Sequence, residues 1–184
     1  MRVTTKAIGD YPWYIRPFFW KQKRKYGQVL EPGLVWGRSP KLFMGVAFLY
    51  GMIERRRNPL APALRSLVTV RVSQINHCRF CVDVNSATLM KRGIDEEKVA
   101  ALDDWRNSNL FDEKERAALA YTEAVTHSDR EPDDAIHAEL SRHFDEDAVV
   151  ELTGLIAFQN MSSKFNAALD VPPQGFCRLP QPGE

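Results

Sequence analysis

The sequence predicts an all-α fold for this chain of 184 residues. From residue 39 onward, apolar residues recur at helical spacing, and capping residues, prolines and glycines stand where helices would begin and end. No convincing pair of alternating segments indicates a β-hairpin, and no G-x-G-x-x-G loop is present. With 44% hydrophobic and 27% charged residues, the chain has the composition of one globular domain with a sizeable core.

The first helix of this series begins at Ser39-Pro40, an N-cap residue followed by a proline suited to the first turn. Three consecutive arginines and then Asn58-Pro59 end it. The next segment, 61–76, fits one helical face but also contains an alternation that a strand would show. Its length and the lack of a partner strand favour a helix. The alternating residues are Val68, Val70 and Val72.

Five further helices are predicted downstream from their capping and stop signals. They are a cysteine helix from Cys78 to about Arg92, ended by Gly93; a helix from Asp95 that buries Val99, Leu102 and Trp105; a helix opened by the capping box of Asp112 and Glu115; a short helix from Pro132 to about His143; and a long last helix capped by Asp145.

Residues 1–38 are predicted to be an aromatic and basic arm, outside a single helical domain over 39–184. Residues 1–60 carry 12 Lys or Arg against 3 Asp or Glu, so the rest of the chain is acidic. We expect the arm to pack on the body or on a neighbouring subunit.

The net charge of +1 makes no case for a nucleic-acid partner. No apolar run is long enough to span a bilayer, and the N-terminus lacks the apolar core of a signal peptide. Three cysteines are too few for a disulfide scaffold. The sequence therefore predicts a cytoplasmic protein without membrane or nucleic-acid partners.

The most informative motif is the C-x-x-C pair of Cys78 and Cys81 at the start of a predicted helix. A helix N-terminus favours a thiolate, so Cys78 is expected to be the more acidic thiol, helped by Arg79 and a protonated His77. Cysteines at i and i+3 lie on one side of a helix and can close a disulfide. The pair is thus a candidate redox dithiol that needs no cofactor or metal.

Two other interpretations of the pair are open. The cysteines could be half of a zinc site, but Cys177 is distant and His127, His137 and His143 lack the spacing of a ligand pair. They could also be small apolar groups in a core. Cys177 itself could be packed or could act as a resolving thiol.

The run from Ser73 to Ala87 resembles the signature helix of the carboxymuconolactone decarboxylase superfamily, in its alkylhydroperoxidase D-like branch. The resemblance extends to the segments 62–68, 93–99, 111–121 and 152–169. It implies an all-helical protomer that assembles into a homo-oligomer, a dimer, trimer or hexamer. It also implies a thiol peroxidase or disulfide reductase activity centred on the C-x-x-C pair.

Members of that branch carry a proton relay made of a glutamate twelve residues before the first cysteine and a histidine four after the second. Here those positions are Ser66 and Asn85, and neither side chain can take a proton from a thiol near neutral pH. The two candidate substitutes are His77 and Asp83. Asp83 is expected to pair with a cation, because a carboxylate beside a thiol would disfavour the thiolate. Two further carboxylates could be brought close by the fold, Glu54 and Glu123.

We therefore expect a peroxiredoxin-type thiol peroxidase or disulfide oxidoreductase of antioxidant defence, with Cys78, Cys81 and His77 as its catalytic residues. Its partners would be a small hydroperoxide or disulfide substrate and an external dithiol reductant. The alternatives are a carboxymuconolactone decarboxylase-type lyase and a non-catalytic, redox-sensing or binding oligomer.

Overall fold

The computed structural model describes residues 1–177, which form nine α-helices and no β-strand, so the predicted all-α fold is confirmed. In chain order the helices are α1 (Arg16–Tyr26), α2 (Glu31–Gly37), α3 (Pro40–Ile53), α4 (Pro62–Ile75), α5 (Arg79–Lys91), α6 (Glu96–Ala100), α7 (Glu113–Thr126), α8 (Asp134–His143) and α9 (Glu146–Ala168). Short 3₁₀ turns precede α1 and extend α6, at Ile8–Asp10 and Ala101–Asp104.

The central element is α4, which packs against α5, α7 and α9. Its apolar residues therefore lie on several sides, and Val68, Val70 and Val72 are all completely buried. A helix that is buried nearly all round loses the single apolar stripe by which an amphipathic helix is recognised. This explains why the segment 61–76 fits two patterns, and the helix favoured there is confirmed.

Aspartate side chains begin three of the later helices. Asp112 and Glu115 form the predicted capping box of α7, and Asp145 caps α9 as predicted. The predicted start of α8 at Pro132 was wrong by two residues. The carboxylate of Asp133 caps this helix, so Pro132 lies outside it.

The helix predicted from Asp95 exists but is short, because it tightens into a 3₁₀ turn after Ala100. Its expected buried face is present, with Val99, Leu102 and Trp105 all in the core.

Residues 1–38 contain α1 and α2 and pack against α3 and α9 of the same chain. Tyr11, Phe19 and Trp36 form an apolar cluster with Phe43 of α3. The ring of Trp36 also stacks on Phe165 of α9, with 3.5 Å between the ring centroids. The sequence did not indicate these two helices, because prolines and closely spaced aromatic residues obscure their periodicity.

Within residues 1–177, no helix combines the length and the apolarity needed to cross a lipid bilayer.

Glu123 is a buried carboxylate of α7 that joins three segments of the chain. It accepts hydrogen bonds from Arg71 Nε at 2.8 Å and from Trp105 Nε1 at 2.9 Å, and it also pairs with Arg106. Burial alone would raise the pKa of Glu123. The hydrogen bonds from Trp105 and Arg106 and the charge of Arg71 outweigh burial and hold that pKa below its ordinary value.

Glu123→Gln should lower the free energy of unfolding by about 3 kcal/mol near neutral pH, because it leaves the partly buried Arg71 without its buried counter-charge. Since the folded-state pKa is depressed, the stabilisation is present above the unfolded pKa of about 4.3 and is lost as the pH falls through the folded value. Urea denaturation at several pH values measures this. Glu113→Gln, at an exposed position of the same helix, is the control and should change stability by less than about 0.5 kcal/mol. An equal loss in both variants would contradict the assignment.

Candidate functional site

A tight turn between α4 and α5 places the two cysteines. The backbone of His77 is in the left-handed region, with φ of 50°, and this reverses the chain between the two helices. The Asn76 side chain donates to Asn160 Oδ1 and to Ser163 Oγ, both at 2.8 Å, which ties the turn to α9. Cys78 follows as the N-cap residue of α5.

Cys78 is both the cap of α5 and one member of the dithiol. Its Sγ accepts the backbone N–H of Cys81 at 3.4 Å. A hydrogen bond from the Cys81 thiol lowers the pKa of Cys78 below its ordinary value, and the backbone N–H groups of Cys81 and Phe80 add to this effect against the opposing effect of burial. The expectation that Cys78 would be the more acidic thiol agrees with this geometry.

The surroundings of Cys81 shift its pKa in the opposite direction, upward. Its hydrogen bond to Cys78, its burial and the negative charge of a Cys78 thiolate raise the pKa of Cys81 well above the ordinary value. Two amide side chains of α9 act in the other direction, those of Asn166 and Gln159. The Asn166 Nδ2 donates to Cys81 Sγ at 3.3 Å. Of the two sulfurs, Cys78 is therefore the one that loses its proton more readily, and Cys81 is the one that keeps it.

A cavity of about 500 Å³ opens onto Cys81. Both cysteines are buried, Cys78 at 1% and Cys81 at 3% exposure, and both pack in one cluster with Val35 and Val171. Of the two, Cys81 is the one that lines the cavity. One face of α5 forms a wall of the cavity, and α1 to α4 and α9 supply the rest. Aromatic side chains make much of this lining: Phe18, Trp36, Phe43, Tyr50, Phe80 and Phe158. Such a site suits an organic molecule with an apolar body.

The two positions at which the relay is missing both line this cavity. Ser66 Oγ accepts a hydrogen bond from Arg92 at 2.9 Å, and the same guanidinium donates to Glu54 Oε2 at 2.5 Å. Asn85 Nδ2 donates to Ser73 Oγ at 3.3 Å. A carboxylate from α3, Glu54, thus reaches the neighbourhood of Ser66, where it is paired with arginine.

The expectation that Asp83 pairs with a cation was wrong. Asp83 is 1% exposed, and its two carboxylate oxygens accept the backbone N–H groups of Gln174 at 2.8 Å and Cys177 at 2.6 Å. Arg79, the nearby cation, pairs with Asp170 at 3.5 Å. Asp83 therefore holds the segment after α9 against α5.

The other candidate residues lie in different surroundings. His77 is adjacent to Cys78 in the chain and its side chain is exposed. Glu123 is held by Arg71, Trp105 and Arg106, away from the cavity. Across residues 1–177, the His, Cys, Asp and Glu side chains do not form a group of three or more that could hold a metal ion.

Sequence reasoning did not assign a role to Gln159 or Asn166, although both contribute to the surroundings of Cys81. A signal was present: Gln159, Ser163 and Asn166 recur at helical spacing on the buried side of α9. Polar residues on a buried helix face need partners, and here the partners include a cysteine.

These features define a class of protein. It is all-helical and has a buried C-x-x-C pair, and one sulfur of the pair lines a cavity large enough for an organic molecule. The profile of the carboxymuconolactone decarboxylase family matches residues 43–124. YnjA of Escherichia coli K12, an uncharacterized protein, is 45% identical over 174 residues, which is 95% of this chain and 96% of YnjA. The chain belongs to the carboxymuconolactone decarboxylase family.

Two solved structures identify the fold more closely. The debrominase Bmp8 has 25% sequence identity and a TM-score of 0.83, over 95% of this chain and 92% of Bmp8. A peroxidase-related protein of Ralstonia eutropha JMP134 with an alkylhydroperoxidase AhpD core has 19% identity and a TM-score of 0.88, over 98% and 97% of the two chains. The fold is therefore alkylhydroperoxidase D-like, as the signature helix indicated.

The two thiols should titrate on opposite sides of the ordinary cysteine pKa of about 8.5. In a Cys177→Ser background, Cys81→Ser should leave a Cys78 thiol that titrates below this value. Cys78→Ser should leave a Cys81 thiol that titrates above it, because burial remains. The ultraviolet absorbance of the thiolate, followed against pH, measures both, and the reverse order would contradict the assignment.

Proposed function

We propose that this protein is a thiol peroxidase or disulfide oxidoreductase in which Cys78 and Cys81 cycle between dithiol and disulfide. The observation that carries the proposal is the cysteine pair itself: Cys78 caps α5 and has a lowered pKa, and Cys81, whose pKa is raised, lines the cavity. The similarity to a protein with an alkylhydroperoxidase core supports the same chemistry.

Proton transfer between the two thiols offers a route to a nucleophile without the missing relay. Movement of the proton from Cys81 to Cys78 gives a Cys81 thiolate on the cavity side. That thiolate attacks a hydroperoxide ROOH, so that a sulfur–oxygen bond forms, the O–O bond breaks and RO⁻ leaves. RO⁻ takes the proton from Cys78 and becomes ROH. The Cys78 thiolate then attacks the Cys81 sulfenic acid, which forms the disulfide and releases hydroxide.

An external dithiol restores the pair by thiol–disulfide exchange, which suits a reducing, cytoplasmic setting. His77 belongs to the proposal as an exposed cation beside Cys78 when its ring is protonated. In that place it stabilises the Cys78 thiolate and can pass a proton to solvent.

Reduced protein should lose two thiols per chain with cumene hydroperoxide, and it should consume that peroxide continuously when dithiothreitol is supplied. Cys78→Ser and Cys81→Ser should each abolish turnover, whereas Cys177→Ser should retain it. His77→Gln should lower the rate only about two- to five-fold, as loss of an exposed charge contact does. Thiol counting and peroxide consumption measure these effects.

Three results would contradict the proposal, and two of them would favour another function. Two thiols lost without steady-state turnover would favour a redox-sensing oligomer. Thiols that survive the peroxide would reject the proposal. Lactone decarboxylation by the double Cys→Ser variant would favour the lyase.

A second candidate function follows from the aromatic lining and the similarity to a debrominase. A dithiol can remove halogen reductively: Ar–Br and two thiols give Ar–H, a disulfide and HBr. Release of bromide from a bromoaromatic compound by the reduced protein would identify this activity in the same assay.

We also propose that the chain forms a homo-oligomer through α3. This helix exposes an unusually apolar face, with the Phe48 side chain 69% accessible and Leu42, Leu49 and Met52 about half accessible. The proposed occupant is a second copy of the chain, because the family resemblance implies a homo-oligomer and the exposed side chains of this face are apolar. Tyr50 of α3 lines the cavity, so a second copy here would border the site.

Phe48→Asp should lower the particle mass measured by light scattering to that of a monomer, because it places a charge in the proposed apolar contact. Trp20→Asp changes an equally exposed aromatic residue of α1 and should leave the mass unchanged. A wild-type monomer, or a Phe48→Asp variant of unchanged mass, would contradict the proposed interface.

A further inference from the structure

Asn166 has an unused hydrogen-bond acceptor beside the reactive sulfur. Its side chain is 2% exposed, and its Nδ2 donates to Cys81 Sγ at 3.3 Å. Within residues 1–177, its Oδ1 is buried and has no hydrogen-bond partner. Asn166 also lines the cavity that opens onto Cys81.

A buried polar atom without a partner is uncommon in a native protein and calls for an explanation. The oxygen of Asn166 is an acceptor, so a ligand group that satisfies it must be a hydrogen-bond donor. Because Asn166 lines the cavity, that donor can come from a molecule bound there.

We propose that Asn166 Oδ1 accepts the O–H of a bound organic hydroperoxide and thereby selects hydroperoxides over substrates that lack a donor hydrogen on the reacting atom. This inference rests on the proposed peroxidase function and adds the substrate class and the residue that recognises it. A disulfide, whose sulfur carries no hydrogen, cannot make this contact.

The geometry of one amide makes the contact productive. The nitrogen and oxygen of Asn166 share a carbon, so a sulfur bound to the one and an O–H bound to the other lie side by side. Reacting atoms held about 3–3.5 Å apart are in near-attack positions. The aromatic walls of the cavity would hold the organic group R, and the hydroperoxy group would point to Cys81.

The contact also persists through the reaction. The Cys81 thiolate attacks the oxygen that carries the hydrogen, so the hydrogen remains on that oxygen in the sulfenic acid and still faces Asn166. The sulfur loses two electrons, the O–O bond receives them, and RO⁻ takes its proton from Cys78. Asn166 therefore neither gains nor loses a proton.

The test compares two uncharged oxidants that react with the same sulfur, cumene hydroperoxide and the aromatic disulfide 2,2′-dithiodipyridine, in a Cys177→Ser background. Asn166→Leu should lower the single-turnover rate constant for the hydroperoxide about 100-fold, since it removes positioning as well as the amide donor. The rate constant for the disulfide should fall about tenfold or less, because only the donor to the thiolate is lost. The ratio of the two rate constants should thus fall about tenfold or more.

Asn166→Asp is the second variant, because it keeps the shape and an acceptor oxygen. Its negative charge should slow both oxidants, but the ratio should stay within about threefold of the wild-type value, because the acceptor is retained. Lys164→Ala, which changes an exposed residue of α9 outside the cavity lining, should leave both rate constants unchanged.

The possible failures are distinguishable. Equal losses for both oxidants in Asn166→Leu overturn the acceptor role while leaving the peroxidase function in place. If the Leu variant does not fold, a ratio that collapses in Asn166→Asp overturns the role in the same way. A wild-type protein that reacts with the disulfide and never with the hydroperoxide overturns both proposals.

Discussion

The hydrogen bond from the backbone of Cys81 to the sulfur of Cys78 depends on a single turn of backbone. The left-handed conformation of His77 lets Cys78 cap α5, and from the cap position its sulfur receives the N–H of Cys81. Helix N-termini stabilise negative charge, so the capping sulfur becomes the acidic member of the pair. Asn76 fastens the same turn to α9. Without that turn, the sulfurs would be two ordinary buried groups.

The hydrogen bonds at the cavity wall differ from those of the proton relay that the resemblance implies. The serine at position 66 cannot take a proton from a thiol near neutral pH. Its hydroxyl instead accepts a hydrogen bond from Arg92, which also donates to Glu54 and so joins α5, α4 and α3. At position 85 an asparagine joins Ser73 and takes no part in an acid–base chain. Polar contacts near Cys81 instead come from amides of α9, which donate hydrogen bonds without exchanging protons. The site therefore stabilises sulfur charge mainly through dipoles.

The sequence predicted the elements that carry strong local signals. The capping box of Asp112, the glycine stop after α5 and the cysteine pair at a helix start all depend on residues a few positions apart. The helices in 1–38 were missed because prolines and aromatic residues mask their periodicity. The contact of Asn166 with Cys81 spans 85 positions, and no local pattern encodes such a pairing. Local chemistry could thus be predicted, whereas tertiary contacts required the fold.

The segment after α9 contributes two peptide N–H groups to Asp83, two residues beyond the second cysteine. These two N–H groups donate hydrogen bonds to the carboxylate and partly compensate its negative charge. Without them, the carboxylate would oppose a negative charge on a neighbouring sulfur more strongly. The carboxylate and the segment that covers it depend on each other. Without the segment, the carboxylate would lose its hydrogen-bond donors, and without the carboxylate, the two N–H groups would lose their acceptor. Across evolution, the two should be gained and lost together: lineages whose chains stop soon after the last helix should carry a neutral residue in place of this aspartate.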